Sequence, residues 1–304
     1  MVERVSLAAG GPTLSRLCYG TWRLLRESTP PTAGQLAERL SAAADLGVTT
    51  IDTAEIYGGY GVEELIGAAF ARTRGLRQRL QIVTKFGIYV PNPRHPERRV
   101  PFYNASAKRI VASVDKSLRL LGTDLIDLLL VHRYDWLASA DETAEGLAEV
   151  VRSGKVRHVG VSNYNVQQLE LLRDRLPVPL VTNQVELSLF APGALFDGTL
   201  DQAQRHRFRP MAWSPLGGGR LFAEDDDAAM RVREVMTDLA PKYGNASPME
   251  LALAWVLAHP SGPVVAIGTS RIDRLSVMVQ ATAIKLDRHD WYELYQAASG
   301  FRIP

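Results

Sequence analysis

The chain has 304 residues, 46% of them hydrophobic and 22% charged, and its 35 Lys and Arg against 33 Asp and Glu leave a net charge of +2. That balance gives no electrostatic reason to expect nucleic acid or an anionic membrane surface as partner, and no window approaches the roughly 18 apolar residues of a membrane span. The lone cysteine, Cys18, excludes an internal disulfide and a structural zinc cluster; with too short an N-terminal apolar run for a signal peptide, the chain reads as cytoplasmic.

In chain order, residues 4–7 and 13–16, joined through Gly10-Gly11-Pro12, predict a short hairpin placed to plug a barrel floor. Short apolar runs then alternate with longer amphipathic stretches, the rhythm of βα units on a parallel sheet. The runs are 17–20, 49–52, 81–84, 125–131, 158–161, 180–184, 209–213 and 264–267. The helical stretches between and after them are 32–46, 62–74, 106–121, 140–153, 166–176, 198–205, 228–243 with 248–258, and 272–283. Ser106 and Ser247-Pro248 mark helix starts, and Gly47, Gly75, Gly122 and Gly154 mark stops. Eight βα units in about 250 residues have the size of a TIM barrel, read here as one α/β domain over residues 1–304. Residues 287–299 form an extra C-terminal helix. Residues 87–104 hold Pro91, Pro93, Pro96 and Pro101 and are too long for a routine connector, so they read as a functional loop.

In such a barrel chemistry collects at the C-terminal ends of the strands. The second run ends at Asp52, with Tyr57 in the loop beyond; the third ends in Lys85 and the fourth in His132. Ser162-Asn163, Asn183-Gln184, Trp213-Ser214 and Gly268-Thr269 end the last four. Each has an ordinary reading alone: Asp52 a turn residue, Lys85 a solvated surface lysine, Tyr57 a rim aromatic, His132 a satisfied buried histidine. A carboxylate, a phenol, an ammonium and an imidazole at one end of three adjacent strands is an improbable accident.

Together they suggest a reaction. A phenol with a pKa near 10 holds its proton at neutral pH and can give it to a developing alkoxide if the phenolate is stabilised. An ammonium about 4 Å away supplies roughly 4 kcal/mol at an effective dielectric near 20 before desolvation, which predicts a lowered Tyr57 pKa. Asp52 would keep Lys85 charged, and His132 would orient a carbonyl oxygen. No nucleophile or metal-ligand spacing accompanies them, so a hydride must come from a nicotinamide stacked on Trp213, its carboxamide held by Ser162, Asn163 and Gln184. The dinucleotide fingerprint GxGxxG is absent: Gly59-Tyr60-Gly61 has Glu64 where the third glycine belongs. The run Gly217-Gly218-Gly219-Arg220 either lets backbone amides approach a pyrophosphate or is a plain flexible loop. A barrel whose Lys85 forms a Schiff base is the rival enzyme class.

These residues resemble the aldo-keto reductases over nearly the whole chain. The matching segments are Asp52-Thr53-Ala54-Glu55-Ile56-Tyr57-Gly58, Ile82-Val83-Thr84-Lys85, Asp127-Leu128-Leu129-Leu130-Val131-His132, Gly154-Lys155-Val156-Arg157 with Gly160-Val161-Ser162-Asn163, Asn183-Gln184-Val185-Glu186 and Trp213-Ser214-Pro215-Leu216-Gly217. The Tyr57-Gly58-Gly59-Tyr60 loop and the stretch to Arg220-Leu221-Phe222 resemble a bacterial oxidoreductase branch. The resemblance implies a (β/α)8 barrel with a hairpin over its bottom, NADPH extended across its top, and the catalytic set Asp52, Tyr57, Lys85 and His132 with Tyr57 as the acid. It implies that Trp213 takes the usual tyrosine's place under the nicotinamide, and that Ser162, Asn163 and Gln184 bind the carboxamide. Further cofactor contacts are implied for Gly20, Thr21, Trp22, Ser214, Pro215, Leu216, Gly217, Gly219, Arg220 and Ile267. The turn Gly268-Thr269-Ser270 with Arg274, and Arg271 beside it, is implied at the adenosine 2'-phosphate, favouring NADPH over NADH on charge.

Two positions depart from the family. Met278 stands where many relatives carry Asn or Glu against the adenine. Arg133 follows His132, where a cation facing the pocket favours acidic or polar carbonyl substrates. The pocket is expected to be rimmed by Trp22, Tyr57, Phe86, His132 and Arg133. The expected function is NADPH-dependent reduction of a small-molecule aldehyde or ketone; a barrel that holds NADPH as a redox sensor, without significant turnover, is the alternative. No sequence feature marks an oligomeric state.

Overall fold

The computed structural model describes residues 2–92, 96–269 and 271–303; Pro93 and Ser270, both singled out above, lie outside the described residues. The barrel strands are β1 (Leu17–Gly20), β2 (Thr50–Asp52), β3 (Gln81–Phe86), β4 (Ile126–Val131), β5 (Val156–Ser162), β6 (Leu180–Glu186), β7 (Met211–Trp213) and β8 (Val264–Ile267). Each pairs in parallel with its neighbours, and β8 pairs with β1 to close the ring. The sheet therefore has no free edge. β3 and β6 run two residues past their predicted ends, where one neighbouring strand still pairs even polar residues, Lys85 with Leu130 and Glu186 with Trp213.

The period of two divides each strand between the inside and the outside of the barrel. Cys18, Val83, Leu128, Leu130, Val181, Met211, Val264 and Ala266 fill the interior. Leu7 and Leu14 of the antiparallel N-terminal hairpin (Arg4–Ser6 with Thr13–Ser15) close the floor of that same cluster. Arg209 donates its backbone N–H to the Leu7 carbonyl and ties the hairpin to the seventh unit. Burial pushes the Cys18 thiol well above its ordinary pKa, so it is an inert wall residue.

The alternate residues, such as Ile82, Leu129 and Val265, pack outward against the helical ring. Capping boxes at Thr32, Asn165 and Ser247 start three of its helices. Ser106 takes its N-cap position without a cap bond, its hydroxyl turned to Asn104. The predicted helix 228–243 breaks at Pro241, which lacks an N–H, leaving Asp227–Leu239 and a 3-10 turn Ala240–Tyr243. The long loop brings Ile88–Tyr89 and Phe102–Tyr103 together as a small antiparallel ladder, with Arg98 over the Tyr60 and Tyr89 rings. No helix among the described residues is long and apolar enough to cross a membrane.

Two features of the ring give tests. A Cβ on Gly67 in the helix Val62–Arg72 would lie 2.0 Å from the Leu120 carbonyl oxygen, so the two helices meet at backbone distance. Gly67→Ala is expected to cost about 1–3 kcal/mol through overpacking, read as a lower urea midpoint. Glu63, buried against the barrel wall, accepts from Thr84 Oγ1 at 2.7 Å and Ser117 Oγ at 3.0 Å. Burial pushes its carboxyl up to about 7, against the pull of those two hydroxyls. A folded-state value raised above the unfolded one, near 4.3, stabilises fully below the unfolded value and is lost as pH rises through about 7. Urea midpoints should therefore decline across that window, and Glu63→Gln should flatten the decline.

Candidate active site

The C-terminal strand ends surround a cleft of about 540 Å³. Inside alternation on β3 places Lys85 in the barrel above Val83. Its side chain is 0% exposed, and its Nζ lies 2.9 Å from Asp52, 2.8 Å from the Thr53 carbonyl and 3.2 Å from Tyr57 Oη. Three acceptors satisfy the three ammonium protons. Burial works against the charge, but Asp52 and Tyr57, by charge and by hydrogen bonding, hold the Lys85 pKa above its ordinary value. Gln184 Nε2 donates to Asp52 Oδ1 at 2.7 Å, fixing the carboxylate from the opposite wall.

Tyr57 hangs from a tight turn with Gly58 at φ 56° and Gly59 at φ 64°; a Cβ on Gly58 would lie 2.6 Å from Leu25. Its ring meets Trp22 edge-on at 4.9 Å and His132 at 6.0 Å. The expected lowering of its pKa is corrected: burial raises it and outweighs the opposing pull of Lys85. Tyr57 is thus a protonated phenol at neutral pH. Burial, then Lys85 and Arg133, drive the His132 pKa well below the ordinary histidine value, so its ring is neutral. Its Nδ1 is buried and has no hydrogen-bond partner among the described residues.

Asn163, in the left-handed region at φ 58°, links three strand ends. Its Oδ1 accepts from Trp213 Nε1 at 3.0 Å, and its Nδ2 donates to Ser162 Oγ at 2.8 Å and to the His132 carbonyl at 3.2 Å. The Asn163 amide thus braces Trp213 and Ser162, with one Oδ1 lone pair still open. Gly20, Trp22, Asp52, Ser162, Asn163, Gln184, Trp213, Ser214, Pro215, Leu216, Gly219, Ile267, Gly268, Thr269 and Arg274 line the cleft as expected, with Arg133 and Met278.

Several expected contacts are not in its wall. Phe86 points outward against Ala105 and Ile110, because inward Lys85 forces its neighbour out; Ile88 takes that place. Thr21 is buried behind the wall, bonded to the Asp52 carbonyl. Gly217 faces Phe190, and Arg220 pairs with Asp226 over that ring. Arg271 pairs with Asp273 at 2.5 Å. Arg23, not expected from the sequence, lines the cleft instead and donates to the Gly218 carbonyl at 2.5 Å; its neighbour Trp22 was the available signal.

The walls fit a dinucleotide. Gly218 and Gly268 line the cleft, and a Cβ on either would meet no atom within 4 Å, leaving bare backbone for phosphates. The Arg274 guanidinium lines one end with no ion pair or hydrogen bond among the described residues.

The chain belongs to the Aldo/keto reductase family, whose sequence profile matches residues 16–298. It is 43% identical to the oxidoreductase YdhF of Escherichia coli strain K12 over all of both chains. It is 40% identical to a 6-dehydroglucose reductase of Agrobacterium fabrum, over 95% of this chain and 96% of that protein. The solved structure of an aldo-keto reductase from Klebsiella pneumoniae in complex with NADPH superposes with a TM-score of 0.77 at 27% identity, over 97% of this chain and 94% of that one.

The Asn163 link has a spectroscopic test. Asn163→Ala leaves the Trp213 indole N–H unpaired at an expected cost of about 0.5–1.5 kcal/mol. The urea midpoint should fall and the Trp213 emission, isolated by difference from Trp213→Phe, should shift to the red.

Proposed function

We propose that this chain is an NADPH-dependent reductase of an aldehyde or ketone, in which Tyr57 protonates the carbonyl oxygen. One observation carries the reading: a buried, fully acceptor-bound Lys85 ammonium touches both the Asp52 carboxylate and the Tyr57 phenol. An ammonium so held is protonated, which favours support of an acid over Schiff-base attack. The family, the 6-dehydroglucose reductase relative and the NADPH-bound neighbour support the same reading.

Trp213 would underlie the nicotinamide, with Ser162 and Gln184 beside its carboxamide. The backbone from Ser214 to Gly219 would follow the pyrophosphate, and Gly268, Thr269 and Arg274 would take the adenosine phosphate. Bound there, the reduced cofactor supplies a hydride to the carbonyl carbon. The protein's part is the proton. Tyr57 donates from Oη to the oxygen as it gains charge. At 3.2 Å the Lys85 ammonium then stabilises the phenolate by about 5 kcal/mol at an effective dielectric near 20, before desolvation. Asp52, gripped by Gln184, keeps Lys85 charged and in place, and neutral His132 offers an N–H to the carbonyl oxygen.

Tyr57→Phe should lower kcat across a carbonyl panel by roughly 100-fold or more, with NADPH affinity by fluorescence titration within about twofold of wild type; retained turnover rejects Tyr57 as the acid. Arg274→Ala should weaken NADPH roughly tenfold while leaving NADH affinity nearly unchanged, since only the former carries the phosphate.

A further inference from the structure

Arg133 is a cation that the reaction does not need. It follows His132 directly, lines the same cleft as Tyr57 and His132, and is only partly buried. Its guanidinium makes no hydrogen bond or ion pair among the described residues. The other cations have partners or a proposed use: Lys85 sits in the buried cluster, Arg23 donates to the Gly218 carbonyl, and Arg274 stands where the cofactor's phosphate is proposed. The acidic group within electrostatic reach of Arg133 is Glu186 at the end of β6, which is not within ion-pair distance of it. Burial lifts the Glu186 carboxyl above its usual range despite Arg133.

An unpaired guanidinium facing a partly dry cleft is matched by a planar anion that accepts two parallel N–H bonds. The apolar side chains Ile56, Ile88, Trp22 and Phe222 line the cleft as well, and its Arg23 is already bonded to the Gly218 carbonyl.

We propose that Arg133 determines substrate choice, selecting carbonyl compounds that carry a carboxylate: aldehydic acids and oxo acids, reduced to hydroxy acids. This rests on the reductase reading above. In that reaction the carbonyl carbon takes a hydride, with its two electrons, from the reduced nicotinamide, which is oxidised. The carbonyl oxygen takes the Tyr57 proton, later replaced from solvent, and the carboxylate stays unchanged on Arg133.

The test sets 4-oxobutanoate against its methyl ester, which keeps the chain and removes the charge. For the wild-type protein with NADPH, kcat/KM for the acid should exceed that for the ester at least tenfold, mainly through KM. The ratio should fall toward one in Arg133→Gln, and as KCl rises from about 50 to about 500 mM. Arg133→Lys should keep part of it, because the charge remains while the fork is lost. Calorimetric binding of butanoate to the NADP+-loaded protein reads the same contact without turnover and should disappear in Arg133→Gln. Wild-type protein that reduces the ester as well as the acid overturns selection by Arg133 and leaves the reductase reading standing. A phosphorylated aldehyde preferred to the acid overturns the carboxylate assignment. NADPH binding with no carbonyl reduced overturns the reductase reading and this inference with it. If Arg133→Gln does not fold, the wild-type acid-to-ester ratio and its salt dependence decide.

Discussion

A lysine ammonium with no exposure to water is the constraint around which the open end of this barrel is built. Such a charge is costly unless every proton is accepted and a counter-ion is close. Asp52, the Thr53 carbonyl and Tyr57 meet that demand, and Gln184 reaches across the barrel to hold Asp52. Removing any one strands a buried charge, so the cluster ties β2, β3 and β6 together at the point where the chemistry is proposed. The same arrangement suits the phenol to the acid role proposed for it. Burial keeps Tyr57 protonated until a partner gains charge, and Lys85 lowers the cost of releasing that proton.

The second layer of organisation is the Asn163 link. A strained backbone and an amide bonded at both its oxygen and its nitrogen join Trp213, Ser162 and His132, which belong to three different units. The Trp213 ring is held by its edge, with the indole N–H as the handle. The glycine-rich segment after β7 has a comparable role on the outer side: Gly218 and Gly219 sit at φ 68° and 109°, conformations that glycine adopts without strain. Arg23 bonds across to the Gly218 carbonyl and joins the loops after β1 and β7.

Charge is placed sparingly at the cleft. Lys85 is consumed within the protein, Arg274 stands where a phosphate is proposed, and Arg133 has no partner among the described residues beside the proposed acid. Arg220 and Arg271 look equivalent to these in sequence but are neutralised locally by Asp226 and Asp273.

The order of strands, the N-terminal hairpin and the gathering of Asp52, Tyr57, Lys85 and His132 at one end of the barrel were legible because they depend on local periodicity and on where a strand ends. Phe86 was legible too, in principle: an inward Lys85 puts it outside. What only the tertiary structure decided were the matters set by partners distant in sequence. Asn163, which lines the cleft, gained a bracing role that the sequence did not show, because its partner Trp213 lies 50 residues away. Ile88 entered the wall because the loop folds back on Phe102–Tyr103. Arg133 faced the cleft without a partner among the described residues, and the Tyr57 pKa moved up rather than down, because burial is a property of the whole packed barrel and of no segment of it.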